Sequence, residues 1–479
     1  TMVGTDLAAR RHAIARTLDE APITNRRLGV WTLAAAGIGL DGYDLFIMSV
    51  AGPLIVADLG LDPWQKSVAV GAAVLGAVPG ALFSGQLADR IGRQRMLKID
   101  LALFVVTAVL SAVAWDVWSL ASFRFLQGMA VGAEYPLSAS FVAEVMPPKD
   151  RGRWMTGAFS FQAVGMVLGA TIGFALLMWR PDESTWRLML LSGVIPAIVV
   201  ALLRMRMPES PRWLADQGEL EQAERDVQWL TGAPLVITDE DLSYAREAPT
   251  RPPPTPRATV LLTSRWRRAL VLTTLPWFIM DIALYGVGLF TPTILVELAG
   301  APTAGGTTFI KDDIVATQQA AFTDLFLILG FVINILLVER TGRILLQWIG
   351  FLGMGLSLGV LAMTGTGGTL WVVLAAFIMF NTTLNAGPNA TTYLLPAEVY
   401  PTEMRATGHG VAAAAGKIGA AVGTFFLPLA TATFGLGPSL AGIAVLCAAG
   451  AVVTLFARIE TRGRPLSTAD GLIGPVVQP

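Results

Sequence analysis

Twelve stretches of about 20 predominantly apolar residues recur along this chain between charged punctuation, far more contiguous apolar sequence than a water-soluble core can absorb. A hydrocarbon layer about 30 Å thick is crossed by about 20 residues of helix, which satisfies its own backbone groups there. The stretches fall near residues 29–53, 67–86, 97–115, 119–144, 154–178, 187–206, 268–295, 317–337, 345–364, 369–397, 408–432 and 438–457. Composition agrees: 54% of the 479 residues are hydrophobic and 14% charged, against about a quarter charged in ordinary globular domains. The expected fold class is an all-α membrane protein with twelve transmembrane helices.

A net charge of -1 leaves no global field to hold nucleic acid, so charge is read by position. Lys and Arg concentrate in alternate connections: Arg10, Arg11, Arg16, Arg26 and Arg27 at the start; Arg90, Arg93, Arg95 and Lys98; the 149–153 turn; the 204–268 segment; Arg340 with Arg343; Arg405; and Arg458, Arg462 and Arg464. The opposite loops carry chiefly Lys66, Arg180, Arg187 and Lys311. This asymmetry predicts a multi-pass protein of the plasma membrane, a bacterial inner membrane, with both termini cytoplasmic. The N-terminal stretch lacks the small-residue cleavage site of a secretory signal, so the first apolar run is read as a retained span. The single cysteine, Cys447, sits in an apolar run and reads as a small core residue.

Residues 207–266 form the one long polar segment, with Arg251-Pro-Pro-Pro-Thr-Pro-Arg257 inside it. Proline at that density predicts a semi-rigid linker. The expected organisation is a six-helix half over 1–206, a cytoplasmic linker over 207–266 and a second six-helix half over 267–479. The halves repeat. Asp89-Arg90-Ile-Gly92-Arg93 after the second span is answered by Glu339-Arg340-Thr-Gly342-Arg343 after the eighth, and Glu144, Pro147 and Arg151 by Glu398, Pro401 and Arg405. Such pairing implies two parallel repeats related by an axis along the membrane normal. The Asp-Arg-x-Gly-Arg turn makes physical sense as a latch, its carboxylate at a helix N-terminus and its arginines on carbonyls or acids. Asp89, Arg90, Arg93, Glu144, Arg151, Glu339, Arg343, Glu398 and Arg405 are therefore expected to act in gating.

Charges inside spans are more informative, since each costs at least about 2.5–3.5 kcal/mol at mid-bilayer unless paired or facing water. They are Asp41 and Asp44 in the first span, Arg124 and Glu134 in the fourth, Asp281 in the seventh and Lys417 in the eleventh. The competing reading is buried ion pairs that lock helices together, such as Arg124 or Lys417 with an acid. In the seventh span, Trp277, Asp281 and Tyr285 are spaced by four and share a helical stripe. In the tenth, Asn381, Asn385 and Gly387-Pro388-Asn389 predict a break that lines a cavity.

Gly132-Ala-Glu-Tyr-Pro-Leu-Ser-Ala-Ser140, Asn385-Ala-Gly-Pro-Asn-Ala-Thr-Thr392, Pro396-Ala-Glu-Val-Tyr-Pro-Thr402 and His409-Gly-Val-Ala-Ala-Ala-Ala-Gly-Lys417 resemble the phosphate:proton symporter family of the major facilitator superfamily. So do Asp41-Gly-Tyr-Asp44 and the Trp277, Asp281, Tyr285 stripe. The resemblance implies two six-helix halves that import inorganic phosphate with protons. Substrate would be held by Tyr135, Gln162, Trp277, Asp281, Tyr285, Asn385 and Asn389, with Lys417 supplying charge, and protons carried by Asp41, Asp44, Glu134 and Asp281. Arg124 is shared with many relatives and reads as structural. One departure is Glu134 where the family has aspartate after two glycines. The alternative within the same fold is a proton symporter of an organic anion or other small metabolite.

An enzyme is not expected, since no Ser/His/Asp set or metal-spaced Cys and His occur, and His12 and His409 read as lying near the cytoplasmic side. Neither cofactor nor metal is implied. The partners are phosphate, protons and the bilayer, with the chain a monomer.

Overall fold

A computed structural model describes residues 2–147, 150–247, 261–299, 309–365, 368–400 and 402–462, and every regular element among them is helical, apart from isolated turns. An N-terminal helix α1 (Met2–Glu20) precedes six spans: α2 (Asn25–Leu59), α3 (Pro63–Ile91), α4 (Arg93–Ala112), α5 (Val117–Val145), α6 (Arg151–Trp179), and a sixth broken at Gly193 into α7 (Thr185–Ser192) and α8 (Val194–Arg204). Three short helices follow, α9 (Pro211–Gln217), α10 (Leu220–Thr231) and α11 (Asp239–Glu247). The second six spans are α12 (Ser264–Gly288) with its continuation α13 (Thr291–Ala299), α14 (Phe309–Thr341), α15 (Arg343–Thr364), α16 (Leu370–Ala386) with α17 (Pro388–Val399), α18 (Thr402–Phe434) and α19 (Leu436–Phe456).

Ten of these spans are apolar enough by composition alone to cross a membrane. The other two, α4 and α5, are diluted by polar residues buried against neighbours, Asp100, Thr107 and Ser111 in one and Arg124, Gln127 and Glu134 in the other. The break expected in the tenth span is present: α16 ends at Ala386, Gly387 leaves helical geometry, and Pro388 opens α17 where its missing N–H costs nothing. Starts and stops follow local chemistry. Thr24 and Asp62 cap α2 and α3 by accepting from backbone N–H groups three residues on, and Gly60, in the left-handed region, closes α2.

Within the first half α3 packs along α5 and α2 along α6; within the second, α12 packs along α18 and α15 along α19. The halves meet where α3 crosses α18 and α6 crosses α14. Both described ends of the chain lie on one side, here called the termini face.

The connection between the halves is itself folded. The 207–266 segment is not simply a linker, because α9, α10 and α11 fold against α1 into a cap on the termini face; the Arg251–Arg257 proline run lies outside the described residues. Asp241 organises the cap, taking Arg16 Nη2 at 2.9 Å, His12 Nδ1 at 2.6 Å and the Thr238 N–H at 2.7 Å. Arg27, counted among the basic residues that set topology, is fully buried and donates to the carbonyls of Leu18, Ala21 and Val145. It thereby fastens α1 and α2 to the end of α5.

Candidate functional site

The stripe on the seventh span faces the middle of the molecule, as its spacing predicts. Trp277, Asp281 and Tyr285 are 2%, 2% and 3% exposed. Lys417 on α18 donates to the Tyr285 hydroxyl at 2.9 Å, and its ammonium stands 4.0 Å from the ring centroid of Tyr135 on α5. Tyr135 in turn accepts from Gln162 Nε2 on α6 at 2.6 Å. Gln162 Oε1 receives Asn389 Nδ2 at 3.3 Å, and the same amide donates to Asn385 Oδ1 at 2.7 Å. Five spans thus meet in one polar cluster that straddles the two halves, and the eight residues expected to touch substrate lie on them.

The cluster is rich in donors: an ammonium, two phenols, three amides and an indole. Against them stand two carboxyls with a buried, unpartnered oxygen, Asp281 Oδ2 and Asp41 Oδ2. Lys417 is the cation whose field reaches both. An unpaired buried carboxylate is costly, so each of these groups calls for a cationic or donor-rich partner.

Two other in-span acids expected to carry protons beside Asp41 are each paired with an arginine. Asp44 accepts from Arg124 Nη1 at 2.7 Å and Gln127 Nε2 at 2.8 Å, keeping one oxygen bare. Glu134 turns away from the cluster into a two-bond pair with Arg204, at 2.6 and 3.0 Å, with Ser138 on the same oxygen. The ion-pair reading therefore describes Glu134, and a mid-span carboxylate with so complete a partner is a lock rather than a carrier. Asn381 also leaves the cavity, donating to Thr323 O at 2.9 Å and Asp324 Oδ1 at 3.3 Å on α14.

Aromatic rings seal the cluster. Phe159 on α6 and Tyr393 on α17 stack at 4.3 Å, planes 1° apart, and Phe331 on α14 closes on Phe159 at 5.6 Å. Phe159 precedes Gln162 and Tyr393 follows Asn389 by about a turn, which puts this stack on the termini side of the site. His409 is buried there too, edge-on to Trp277 at 5.7 Å and to Tyr393 at 5.3 Å. On the opposite side Trp64 meets Phe425 across the halves at 4.8 Å. The site is closed toward both faces.

The repeated turns form matching locks. In the first half Arg93 pairs with Glu144 at 3.3 Å, while Glu209 accepts the Gln94 N–H at the start of α4 at 3.0 Å. In the second, Arg343 holds Glu398 and Glu339, both within 3.0 Å, while Glu460 accepts the N–H groups of Arg343 and Ile344 at 3.2 and 3.1 Å. Ser210 on Glu144 and Thr461 on Glu398 complete the symmetry. Gly92 and Gly342 have φ of 102° and 91°, and a side chain on either would also strike the capping glutamate. The carboxylate at the helix N-terminus is therefore Glu209 or Glu460, and Glu339, expected there, turns to Arg343 instead. Arg90 is exposed; the side chains of Asp89, Arg151 and Arg405 lie outside the described residues.

Sequence reasoning missed Arg204, Asp100, Asp324, Glu209 and Glu460. Arg204 and Asp100 fall within apolar runs and the same rule that singled out Asp281 applies to them. Glu209-Ser210 and Glu460-Thr461 are a third repeated element, 251 apart beside turns 250 apart.

Twelve spans in two halves around a closed polar site define a membrane transporter and not an enzyme. The family model described as "Sugar (and other) transporter" matches residues 30–472, and the chain belongs to that family, within the major facilitator superfamily. A rice (Oryza sativa subsp. japonica) protein named "Probable inorganic phosphate transporter 1-10" is 33% identical over 465 residues, covering 86% of this chain and 81% of its own. "Inner membrane metabolite transport protein YgcS" of Escherichia coli (strain K12) is 30% identical over 466 residues, covering 95% and 97%. Among solved structures, the proton:xylose symporter XylE bound to a bromodeoxyglucose superposes with a TM-score of 0.76 at 20% identity, over 95% of this chain and 100% of that one, which is a likeness of fold.

Proposed function

We propose that this protein is a proton-coupled symporter that imports inorganic phosphate by alternating access of its two halves. The observation that carries the reading is the closed donor cluster of Tyr135, Gln162, Asn389, Lys417 and Tyr285 around the bare Asp281 carboxyl. A tetrahedral oxyanion wants several oriented donors and one positive charge, which this cluster provides; Trp277 and Asn385 complete its wall. Asp281 beside a phosphate is tolerable only when protonated, because two anions in a dry site repel. Proton loss from Asp281 then helps expel the anion, and Asp41, on the neighbouring first span with its own bare oxygen, passes the proton onward. Asp44, held by Arg124, is the next member of that route. The rice relative's printed name supports phosphate.

In this reading the halves are 1–206 and 267–479, the lysine- and arginine-rich termini face is cytoplasmic, and the monomer in a plasma membrane is the working unit. Transport of an organic anion is the second reading, favoured by the metabolite transporter that matches nearly the whole chain.

The test is uptake of radiolabelled phosphate into proteoliposomes of the purified protein, with and without an inward proton gradient, alongside Asp281→Asn. Gradient-driven accumulation, lost in Asp281→Asn while phosphate exchange at equilibrium persists, is the expected result. No phosphate uptake by folded protein, with uptake of an organic anion, would transfer the assignment to the second reading.

A further inference from the structure

Two grooves open on the surface that faces lipid. One, of about 450 Å³, is walled by residues such as Val68, Leu75, Trp118 and Phe125 and carries no charged side chain, as befits a surface filled by any acyl chain. The other, of about 360 Å³, lies between α12 and α19, and there Val271, Val452, Val453, Phe456 and Ala457 share the lining with Arg267 and Arg268. α12 begins and α19 ends on the termini face, so the guanidiniums stand at the boundary of the bilayer and the apolar walls run inward from them.

The arginines are presented rather than loose. Trp266, 4% exposed, anchors the start of α12 against Tyr400. Arg268 spends one nitrogen on the Arg458 carbonyl at 2.6 Å, which fixes the fork and leaves its charge uncompensated. Arg267 is exposed and has no hydrogen-bond partner among the described residues. Neither forms an ion pair there, in contrast to Arg93, Arg204 and Arg343 nearby in kind. Two neighbouring cations, one of them held in place, directly above an apolar groove match the amphipathic shape of one molecule class, a phosphate-headed lipid with its acyl chain in the groove.

We propose that the α12–α19 groove is a binding site for an anionic phospholipid, its phosphodiester held by Arg267 and Arg268 and one acyl chain lying along Val271, Val452 and Phe456. The bound lipid steadies α12, which carries the Trp277, Asp281, Tyr285 stripe. A free phosphate ion would meet the arginines equally well, but it leaves the exposed Phe456 and Val452 walls unused.

The experiment measures thermal unfolding of the full-length protein in detergent with added dioleoyl phosphatidylglycerol or dioleoyl phosphatidylcholine. Parent protein is compared with Arg267→Gln/Arg268→Gln and with Val452→Trp, which fills the groove from an exposed position and leaves both cations. Phosphatidylglycerol is expected to raise the parent midpoint beyond phosphatidylcholine, and each variant, folded with unchanged helix content, to lose most of that excess. Full retention in the double glutamine variant would overturn the headgroup assignment, and full retention in Val452→Trp the acyl groove. Inorganic phosphate is the control: stabilisation by it that survives in the double variant belongs to the central site, whereas stabilisation lost with the arginines would overturn the lipid in favour of a free anion.

Discussion

Phe159 and Tyr393 lie ring on ring at 4.3 Å, one from each half, about a turn to the termini side of the Gln162–Asn389 hydrogen bond. Two contacts between the halves are thus layered, polar above and aromatic below, and substrate cannot leave toward the termini face without parting both. Phe159→Ala removes the lower layer. A cysteine at Gln162, shielded in the parent background, is expected to become reactive in Phe159→Ala toward a membrane-impermeant thiol reagent applied from the termini face. Unchanged protection would mean that another element forms the seal.

The Glu134–Arg204 pair crosses from α5 to α8 with both groups no more than 2% exposed. Removing one partner strands a buried charge, which costs about 3–5 kcal/mol, more than the pair contributes. Glu134→Gln is expected to lower the unfolding midpoint sharply, and Arg204→Met added to it to recover much of the loss. Equal destabilisation by the single and double changes, measured in one detergent, would show that the charges do not act as a pair.

Gly416 packs where a β-carbon would sit 2.4–2.9 Å from Trp277 ring atoms. The indole is hemmed in by Tyr393 and His409, so it has no easy retreat. Gly416→Ala is expected to weaken phosphate uptake at least about tenfold, a cost on the order of 1.4 kcal/mol in binding, with little change in helix content. Tryptophan fluorescence of the variant reports the displaced ring.

Burial alone would push the Asp241 carboxyl up, but Arg16, the Thr238 N–H and His12 outweigh it and hold the group well below the ordinary carboxylate range. A depressed folded value stabilises the cap fully above the unfolded carboxylate value of about 4, and that contribution fades only as pH falls through the folded one. The union of α1 and α11 is therefore expected to persist from neutral pH to below about pH 4. Asp241→Ala, which removes charge-assisted bonds worth about 1.5–3 kcal/mol each, should expose the 207–247 segment to limited protease at neutral pH. Cleavage no faster than in the parent would show that the cap is held by its apolar contacts alone.

The spans and the break at Gly387-Pro388 were legible because length, hydropathy and proline chemistry are local properties. The stripe from Trp277 to Tyr285 was legible for the same reason, helix spacing being fixed within one element. Pairings between elements were not. Glu134 is 70 residues from Arg204, and nothing in either run says that the fourth span will turn its acid to the sixth rather than to the cavity. Phe159 and Tyr393 are two aromatics among many in apolar helices, and only the crossing of α6 and α17 singles them out. Where the repeat was followed strictly, as from Arg93 to Arg343, the lock was anticipated; Glu209 and Glu460 lay just beyond the motif that was compared.

The two locks match in their bonds, and the second also reaches across to the other half. Glu339 and Arg343 press on Gly152 at the start of α6, where an added β-carbon would fall 2.4 and 2.7 Å from their polar atoms. Any residue larger than glycine at position 152 has to push these two side-chain tips aside, so the seam between the halves on this face is set by polar tips resting on bare backbone.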